Sequence, residues 1–412
     1  MPVPCLKQGQ AGHSRHPRSG LETPVFMLHS NQPLGYSDYL HWKHAPVARK
    51  TADPLWAPAY HGPGQKLDSA STRYNQPEAA NGRQKENGNM NCLVTGGAGF
   101  IGSHLSESLL AAGHDVTVID DLSTGSANNF QAFVSHPRFR FVLGAVESSH
   151  EMGTLMAWAD TVFHLAAAVG VDLVVNNPVK TIETNVHGTE NVLKYAALTN
   201  TKVLVTSTSE VYGKATSPVF TETDDLLIGP PTHYRWSYAA SKALDEHLAL
   251  AYHKEKKLRT LIVRLFNTVG PRQTGQYGMV LPRFVQQALD GRPLRVFGDG
   301  QQTRCFCHVH DTVRALLTLE ADDRAEGGIY NIGTTTPISV LELATRVIEL
   351  TASSSEVVLV PYAEAYGPGF EDMQKRVPNT AKINALTGWQ PEKSLDHIIV
   401  EVADHLENQR PS

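Results

Sequence analysis

The junction at Thr95 constrains the fold more than any other part of this chain. A short apolar run, Cys92-Leu-Val-Thr95, leads straight into Gly96, Gly99 and Gly102, spaced G-x-x-G-x-x-G, and a helical pattern opens behind them. Glycines at this spacing let the backbone turn tightly from a strand into a helix, whose amino end then faces whatever lies in the turn. The alternation continues downstream. Strands are expected at Asn91–Thr95, Asp115–Asp120, Phe139–Leu143, Thr161–Leu165, Lys202–Ser207 and Thr260–Leu265, with helices at Ser103–Ala112, Pro178–Thr199 and Tyr238–Glu255 among them. This rhythm predicts an α/β fold, a Rossmann-type doubly wound parallel sheet with helices on both faces. After Asn267 the rhythm loosens. Helices are expected at Met279–Leu289, Asp311–Glu320 and Val340–Leu350, and short strands near Leu294–Phe297 and Val357–Pro361. That pattern predicts a smaller C-terminal α/β lobe. The expected division is a dinucleotide-binding domain over 90–266, with return segments near 308–335, and a second lobe over 267–307 and 336–412.

Residues 1–89 have a different character. They are rich in Pro, Gly, His, Gln, Asn and Ser without sustained periodicity, and the stretch from Gln76 to Asn89 reads as a linker. They are expected to be a disordered or spurious extension, with Met90 as the natural start; a regulatory or targeting arm is the rival reading. The six histidines there are unevenly spaced, which does not suggest a metal site. The net charge of -5 over 412 residues predicts no general attraction to nucleic acid or to an anionic membrane. No apolar run reaches the ~18 residues that would span a bilayer. The first residues lack the apolar core of a signal peptide, and the expected location is cytoplasmic. Cys5, Cys92, Cys305 and Cys307 form no metal-binding spacing and read as idle thiols of a reducing compartment.

Three features carry chemistry. The glycine turn suits a pyrophosphate, whose charge a helix amino terminus favours. The second strand ends at Asp120, placed to accept hydrogen bonds from an adenine-ribose 2′-hydroxyl; Asp121 shares that position, and an acid there prefers NAD over NADP. Further on, Tyr238-Ala-Ala-Ser-Lys242 sets a phenol and an ammonium four residues apart, on one face of a helix. An ammonium beside a phenol favours the phenolate, which suits Tyr238 to act as a general base. Between them, Thr206-Ser-Thr-Ser-Glu-Val-Tyr-Gly213 closes a strand at the expected ligand crevice. There Thr208 is a candidate to bond a reacting hydroxyl, and Ser209 and Glu210 add a donor and a carboxylate. Arg235, Arg264, Arg272, Arg304 and Arg376 all follow, and the planar fork of arginine suits a diphosphate. Asn267 sits at a strand end, well placed for a ligand contact. Arg235, Arg264 and Arg376 are equally readable as surface ion pairs.

Together these residues resemble the extended short-chain dehydrogenase/reductase family, specifically the NAD-dependent nucleotide-sugar epimerases, dehydratases and decarboxylases. The resemblance runs from Met90 to about Leu406. It rests on the ten residues from Thr95 to His104, on His164-Leu-Ala-Ala, on the stretch from Thr184 to Asn191, on Tyr238-x-x-x-Lys242, on Arg264-Leu-Phe-Asn267 and on Gly388-Trp-Gln-Pro391. It implies tightly held NAD, with Gly96, Gly99, Phe100, Ile101, Gly102, Asp120, Asp121, Leu165, Ala166, Ala167, Tyr238 and Lys242 around it. It also implies a nucleoside-diphosphate sugar, UDP-linked, bound in the second lobe by Asn267, Arg272, Arg304, Arg235 and Arg376. The sugar is oxidised at C4 in such enzymes, and they are usually homodimers through a helix bundle, here Pro178–Thr199 and Tyr238–Glu255.

Within the family, the triplet Thr208-Ser209-Glu210 separates reactions. Dehydratases usually carry an Asp where this chain has Ser209, which argues against loss of water. The Ser-Thr-Ser-Glu-Val-Tyr-Gly run, Arg235-Trp-Ser-Tyr, Arg304-Cys-Phe and the stretch from Tyr366 to Pro378 are similar to the UDP-glucuronate decarboxylases. In that chemistry Glu210 and Arg304 would orient the acid and protonate the enolate. A 4-epimerase of a UDP-hexose or UDP-hexuronate is the alternative, and a non-catalytic NAD-bound scaffold or sensor is the alternative of another class. One departure is Gly144-Ala145-Val146, where relatives often place an Asp against adenine.

Overall fold

The computed structural model describes residues 88–275, 279–366 and 372–410, so the reading of 1–89 as an extension lies outside the described residues except at Gly88 and Asn89. Six strands form in the order expected: β1 (Asn91–Thr95), β2 (Asp115–Asp120), β3 (Phe139–Leu143), β4 (Thr161–His164), β5 (Lys202–Thr208) and β6 (Thr260–Leu265). A seventh, Ile329–Ile332, returns to the sheet beyond β6. The order across the sheet is β3-β2-β1-β4-β5-β6 and then Ile329–Ile332, and every pairing is parallel. The direction of winding reverses between β1 and β4, which opens a crevice at their carboxyl ends.

The sheet is buried on both faces, which is why its strands read as nearly continuous apolar runs. One face packs Leu105 and Leu109 of helix Phe100–Ala111 with Val313 and Leu316 of helix Val309–Glu320. The opposite face packs Val192 and Leu193 of helix Pro178–Thr199, Ala249 of helix Trp236–Lys256 and Met152 of helix Ser149–Trp158. A separate apolar core joins Phe284, Leu343 and Ile399 from the helices Val280–Leu289, Val340–Leu350 and Leu395–Asn408. The parallel pair Leu294–Phe297 and Val357–Val360 lies beside it.

Several boundaries move for local reasons. The first helix begins at Phe100, not Ser103, because Gly99 already serves as its N-cap. The helix expected from Asp311 begins at Val309, where the His308 side chain accepts the His310 amide. The short helix Val171–Asn176 and the strand Ile329–Ile332 carry too few residues to show a period.

Candidate active site

A cleft of about 1280 Å³ runs along the carboxyl ends of the strands and up to the C-terminal helices. The glycine turn forms its floor. Gly96 takes φ +69°, and a Cβ there would lie 2.7 Å from the backbone nitrogen of Ala166. At Gly102 a Cβ would lie 2.4 Å from the Gly96 carbonyl oxygen, so the helix meets the turn closer than any side chain allows. The helix from Phe100 has no side-chain cap and no acid in its first turn, which leaves its amino terminus positive toward the cleft. Asp120 closes this end. Its carboxylate accepts the amides of Ala98, at 3.0 Å, and Leu122, at 2.8 Å. Burial raises the carboxyl, partly offset by those two bonds. Asp121 beside it is more exposed and accepts the Ser123 amide. Phe100, Ile101, Leu165, Ala166 and Ala167 line the same end, and Gly144 and Ala145 lie there in place of an acid.

Thr208, Ser209, Glu210, Tyr238 and Lys242 meet in the middle of the cleft. Thr208 ends β5 and caps the short turn Ser209–Tyr212, and its hydroxyl faces the Tyr238 phenol. Both Tyr238 and Lys242 are buried. Lys242 also has a carboxylate partner of its own. Its Nζ donates to Asp245 Oδ2 at 2.8 Å, three residues on along the same helix. Burial, followed by Glu210, pushes the Tyr238 phenol well above its ordinary value.

Beyond Tyr238 stands a chain of ion pairs. Arg235 donates from Nη1 to Glu210 Oε2 at 2.8 Å and from Nη2 to Asp372 Oδ1 at 3.1 Å. Arg304 Nη2 donates to Asp372 Oδ2 at 2.8 Å, while its Nη1 donates to the carbonyls of Thr303 and Met373. Arg376 Nη1 reaches Glu210 Oε1 at 3.3 Å and Ser209 Oγ at 3.5 Å. Arg376 thus shares Glu210 with Arg235 and also reaches Ser209, while Arg304 is spent on Asp372 and backbone carbonyls. Burial works to raise the Glu210 carboxyl, but Arg235 and Arg376 hold it below the usual carboxylate range. Asp372 is held down likewise by Arg304 and Arg235. Arg376 is pulled down to about 10 by burial and by Arg304. Its Nε is buried and makes no hydrogen bond.

Asn267 and Arg272 line the far wall. Asn267 donates its amide to the Cys305 carbonyl. Arg272 pairs with Glu107 through Nη2, at 2.6 Å, while its Nη1 is buried without a hydrogen bond. Arg264 is no surface residue and lies outside the cleft: it forks onto Glu246 through Nε and Nη2, at 2.9 and 2.7 Å, and lies over the Tyr212 ring. Asp372 and Asp245 escaped the sequence reading. The only signal for Asp372 is that it stands in the stretch from Tyr366 to Pro378. Elsewhere, His308, His310 and Glu401 bring ligand atoms within 4.8 Å of one another. His308 Nδ1 accepts the His310 amide, so its proton sits on Nε2 toward Glu401, the wrong tautomer for a metal ligand there.

Residues 92–333 match the model of the NAD dependent epimerase/dehydratase family. The chain belongs to that family. A UDP-N-acetyl-alpha-D-glucosaminuronate decarboxylase of Bacillus cytotoxicus is 42% identical over 311 residues, 75% of this chain and 95% of the relative. UDP-glucuronic acid decarboxylase 6 of Arabidopsis thaliana is 36% identical, over 74% of this chain and 86% of the relative. Among solved structures, a dTDP-glucose 4,6-dehydratase from Streptomyces venezuelae with NAD bound superposes with a TM-score of 0.71 at 31% identity, covering 78% of this chain and 98% of the other. A UDP-glucose 4-epimerase from Thermotoga maritima gives 0.67 at 28%, covering 77% and 99%. The cofactor of this epimerase/dehydratase-family enzyme is NAD. The glycine turn fits it: the space a Cβ would need at Gly96 and Gly102 is already closed, the helix end is uncapped, and Asp120 keeps lone pairs for a ribose.

Proposed function

We propose that this enzyme decarboxylates a nucleoside-diphosphate hexuronate, UDP-linked, after oxidising its C4 hydroxyl. One observation carries the reading: the charge balance beyond Tyr238. Three arginines (Arg235, Arg304 and Arg376) face two carboxylates, Glu210 and Asp372, in a largely buried cluster at the cleft wall. One positive charge remains over in the cluster. A buried excess cation is costly unless an anion completes it, and the carboxylate of a uronate is such an anion. The names of the relatives point the same way.

In this reading Gly96, Gly99, Gly102, the helix amino end and Asp120 hold the dinucleotide, which supplies the hydride acceptor when bound. Tyr238 takes the proton of the C4 hydroxyl, steered by Thr208. Desolvation raises the phenol, so the lysine and the bound charges must lower it for the reaction to proceed at neutral pH. The C4 ketone then takes up the electron pair as the C5–carboxylate bond breaks. Arg376, beside Ser209 and held by Glu210, takes the uronate carboxylate before it leaves as CO2, and a proton from solvent goes to C5. Asn267 and Arg272 bind the nucleotide half. Ser209, where an acid would serve loss of water, adds only a hydroxyl.

The helices Pro178–Thr199 and Trp236–Lys256 pack against each other and leave Val179, Ile182 and Leu244 exposed, which supports a homodimer through this pair. Three buried free thiols, Cys92, Cys305 and Cys307, suit the cytoplasm. The decisive test incubates the protein separately with UDP-glucuronate, UDP-N-acetylglucosaminuronate and UDP-glucose, read by NMR and mass. Release of CO2 from either uronate supports the reading. Unchanged mass with inversion at C4 replaces it with a 4-epimerase.

A further inference from the structure

Behind Lys242 lies a buried line of polar side chains that the chemistry above does not use. Lys242 Nζ bonds Asp245 Oδ2, with both side chains at most 2% exposed. The Thr189 hydroxyl, on the neighbouring helix, faces the Asp245 carboxylate, whose Oδ1 makes no hydrogen bond. His164 Nε2 lies 3.0 Å from Thr189 Oγ1, and His164 Nδ1 lies 2.8 Å from Thr95 Oγ1. Thr95 Oγ1 in turn accepts the Ala166 amide. The line thus joins the end of β1 at the glycine turn to the lysine of the catalytic helix.

Each threonine hydroxyl can donate or accept, so the line can be satisfied with the His164 proton on either ring nitrogen. A Thr189 hydroxyl turned to donate to the Asp245 carboxylate would put that proton on Nε2. Burial, followed by Lys242, pulls the His164 imidazole down to about 3, so it stays neutral. An ionised carboxylate with an ammonium beside it has a cost when both leave water, and it is repaid only if the geometry matters. Asp245 is not needed to fold this helix, whose packing runs through Ala239, Ala243 and Ala249.

We propose that Asp245 is a positioning residue for the oxidation at C4: through its ion pair with Lys242, backed by Thr189, His164 and Thr95, it fixes the ammonium beside Tyr238 and cancels part of its charge. The groups acting on the phenol are then Glu210 after β5, Asp245 from its own helix and Arg376 from the C-terminal segment, with Lys242 one turn on and paired to Asp245, His164 on β4 facing Lys242, and Glu246 facing Asp245. Asp245 raises the phenol and opposes the lysine, so the working pH of the base depends on the pair.

The kinetic readout of this inference rests on the C4-oxidation reading; its spectroscopic readout does not. The protein is labelled with 13C at the tyrosine ζ carbon, loaded with NAD, and the Tyr238 resonance is assigned by its loss in Tyr238→Phe. In Asp245→Asn the midpoint of that resonance is expected about one pH unit lower than in the unaltered protein, because a negative charge near the phenolate is gone. Asp245→Ser is expected to move it the same way and guards against a folding defect peculiar to one variant. Asp245→Glu should restore the original midpoint. With a uronate that turns over, the acid limb of kcat should move with the midpoint. A midpoint that is unchanged or higher in both neutral variants, or no titration in any of the proteins, overturns the proposal. Failure of the unaltered protein to act on any nucleotide sugar removes the functional reading but leaves the NMR comparison standing.

Discussion

Glu210 Oε2 lies 2.8 Å from Arg235 Nη1, in a pair whose side chains are 15% and 5% exposed. This contact links the turn after β5 to the start of the Tyr238 helix, so the carboxylate that acts most strongly on the phenol is held from the same helix that carries the phenol. Arg376 takes the other oxygen of Glu210. Removing one partner of such a buried pair leaves the other charge exposed to a low dielectric, which is worse than losing both.

Glu210→Gln should therefore lower stability as well as activity. The loss at neutral pH is expected to be about 3 kcal/mol. Its pH dependence has a definite sign. The folded-state values of Glu210 and Asp372 are depressed, so their stabilisation is present above the unfolded carboxyl value, near 4, and disappears as pH falls through the depressed value. The difference in Tm between the unaltered protein and Glu210→Gln should be largest above pH ~4.5 and shrink toward pH 3. Thermal scans across that range check it; a gap that stays constant would remove the ion pair as its source.

Tyr238→Phe should lower kcat by about 10³-fold, since proton transfer by a placed base contributes roughly that much. Bound NAD, measured by absorbance after denaturation, should be unchanged, because the glycine turn is untouched. Full activity in this variant would end the phenol's role as base.

Arg376→Met should separate two steps. Oxidation at C4, seen as a rise in absorbance of reduced cofactor, should persist, while CO2 release should fall by about 10²-fold or more. Arg304→Met should instead weaken the whole cluster, because Arg304 braces Asp372 and the Met373 carbonyl and does not bond Glu210. Equal losses of both steps in Arg376→Met would place Arg376 in substrate binding as a whole and not in the loss of CO2.

Gly102→Ala has no room. Its Cβ would sit 2.4 Å from the Gly96 oxygen and 2.6 Å from Gly97 Cα, both backbone atoms. The turn must open, and the expected result is cofactor-free protein with stability reduced by about 1–3 kcal/mol. Calorimetric titration with NAD measures the first effect and a melting curve the second.

The alternation of strand and helix was legible from Met90 onward because a parallel sheet covered on both faces leaves apolar runs with turn residues between them. The glycine turn and Tyr238-x-x-x-Lys242 were legible because each works over a few adjacent residues. Asp372 was not: it meets Arg235 only after 137 residues of chain have folded back, and an acid in a loop carries no period. The partner of Arg304 was hidden for the same reason. Arginines at 235, 304 and 376 look alike in sequence, and only packing decides which carboxylate each one reaches.

By itself, then, the sequence determined the sheet, the turn that receives a dinucleotide, and the helix that carries a phenol and an ammonium on one face, since all of these are set by local backbone sterics and by spacing along one element. Tertiary structure alone decided the partners of the charges. Lys242 is bound to Asp245, Glu210 lies between Arg235 and Arg376, and Arg264 is sealed against Glu246 in the interior. Coulomb energy depends on distance and on the dielectric around each pair, and neither exists until segments far apart in the chain are packed together.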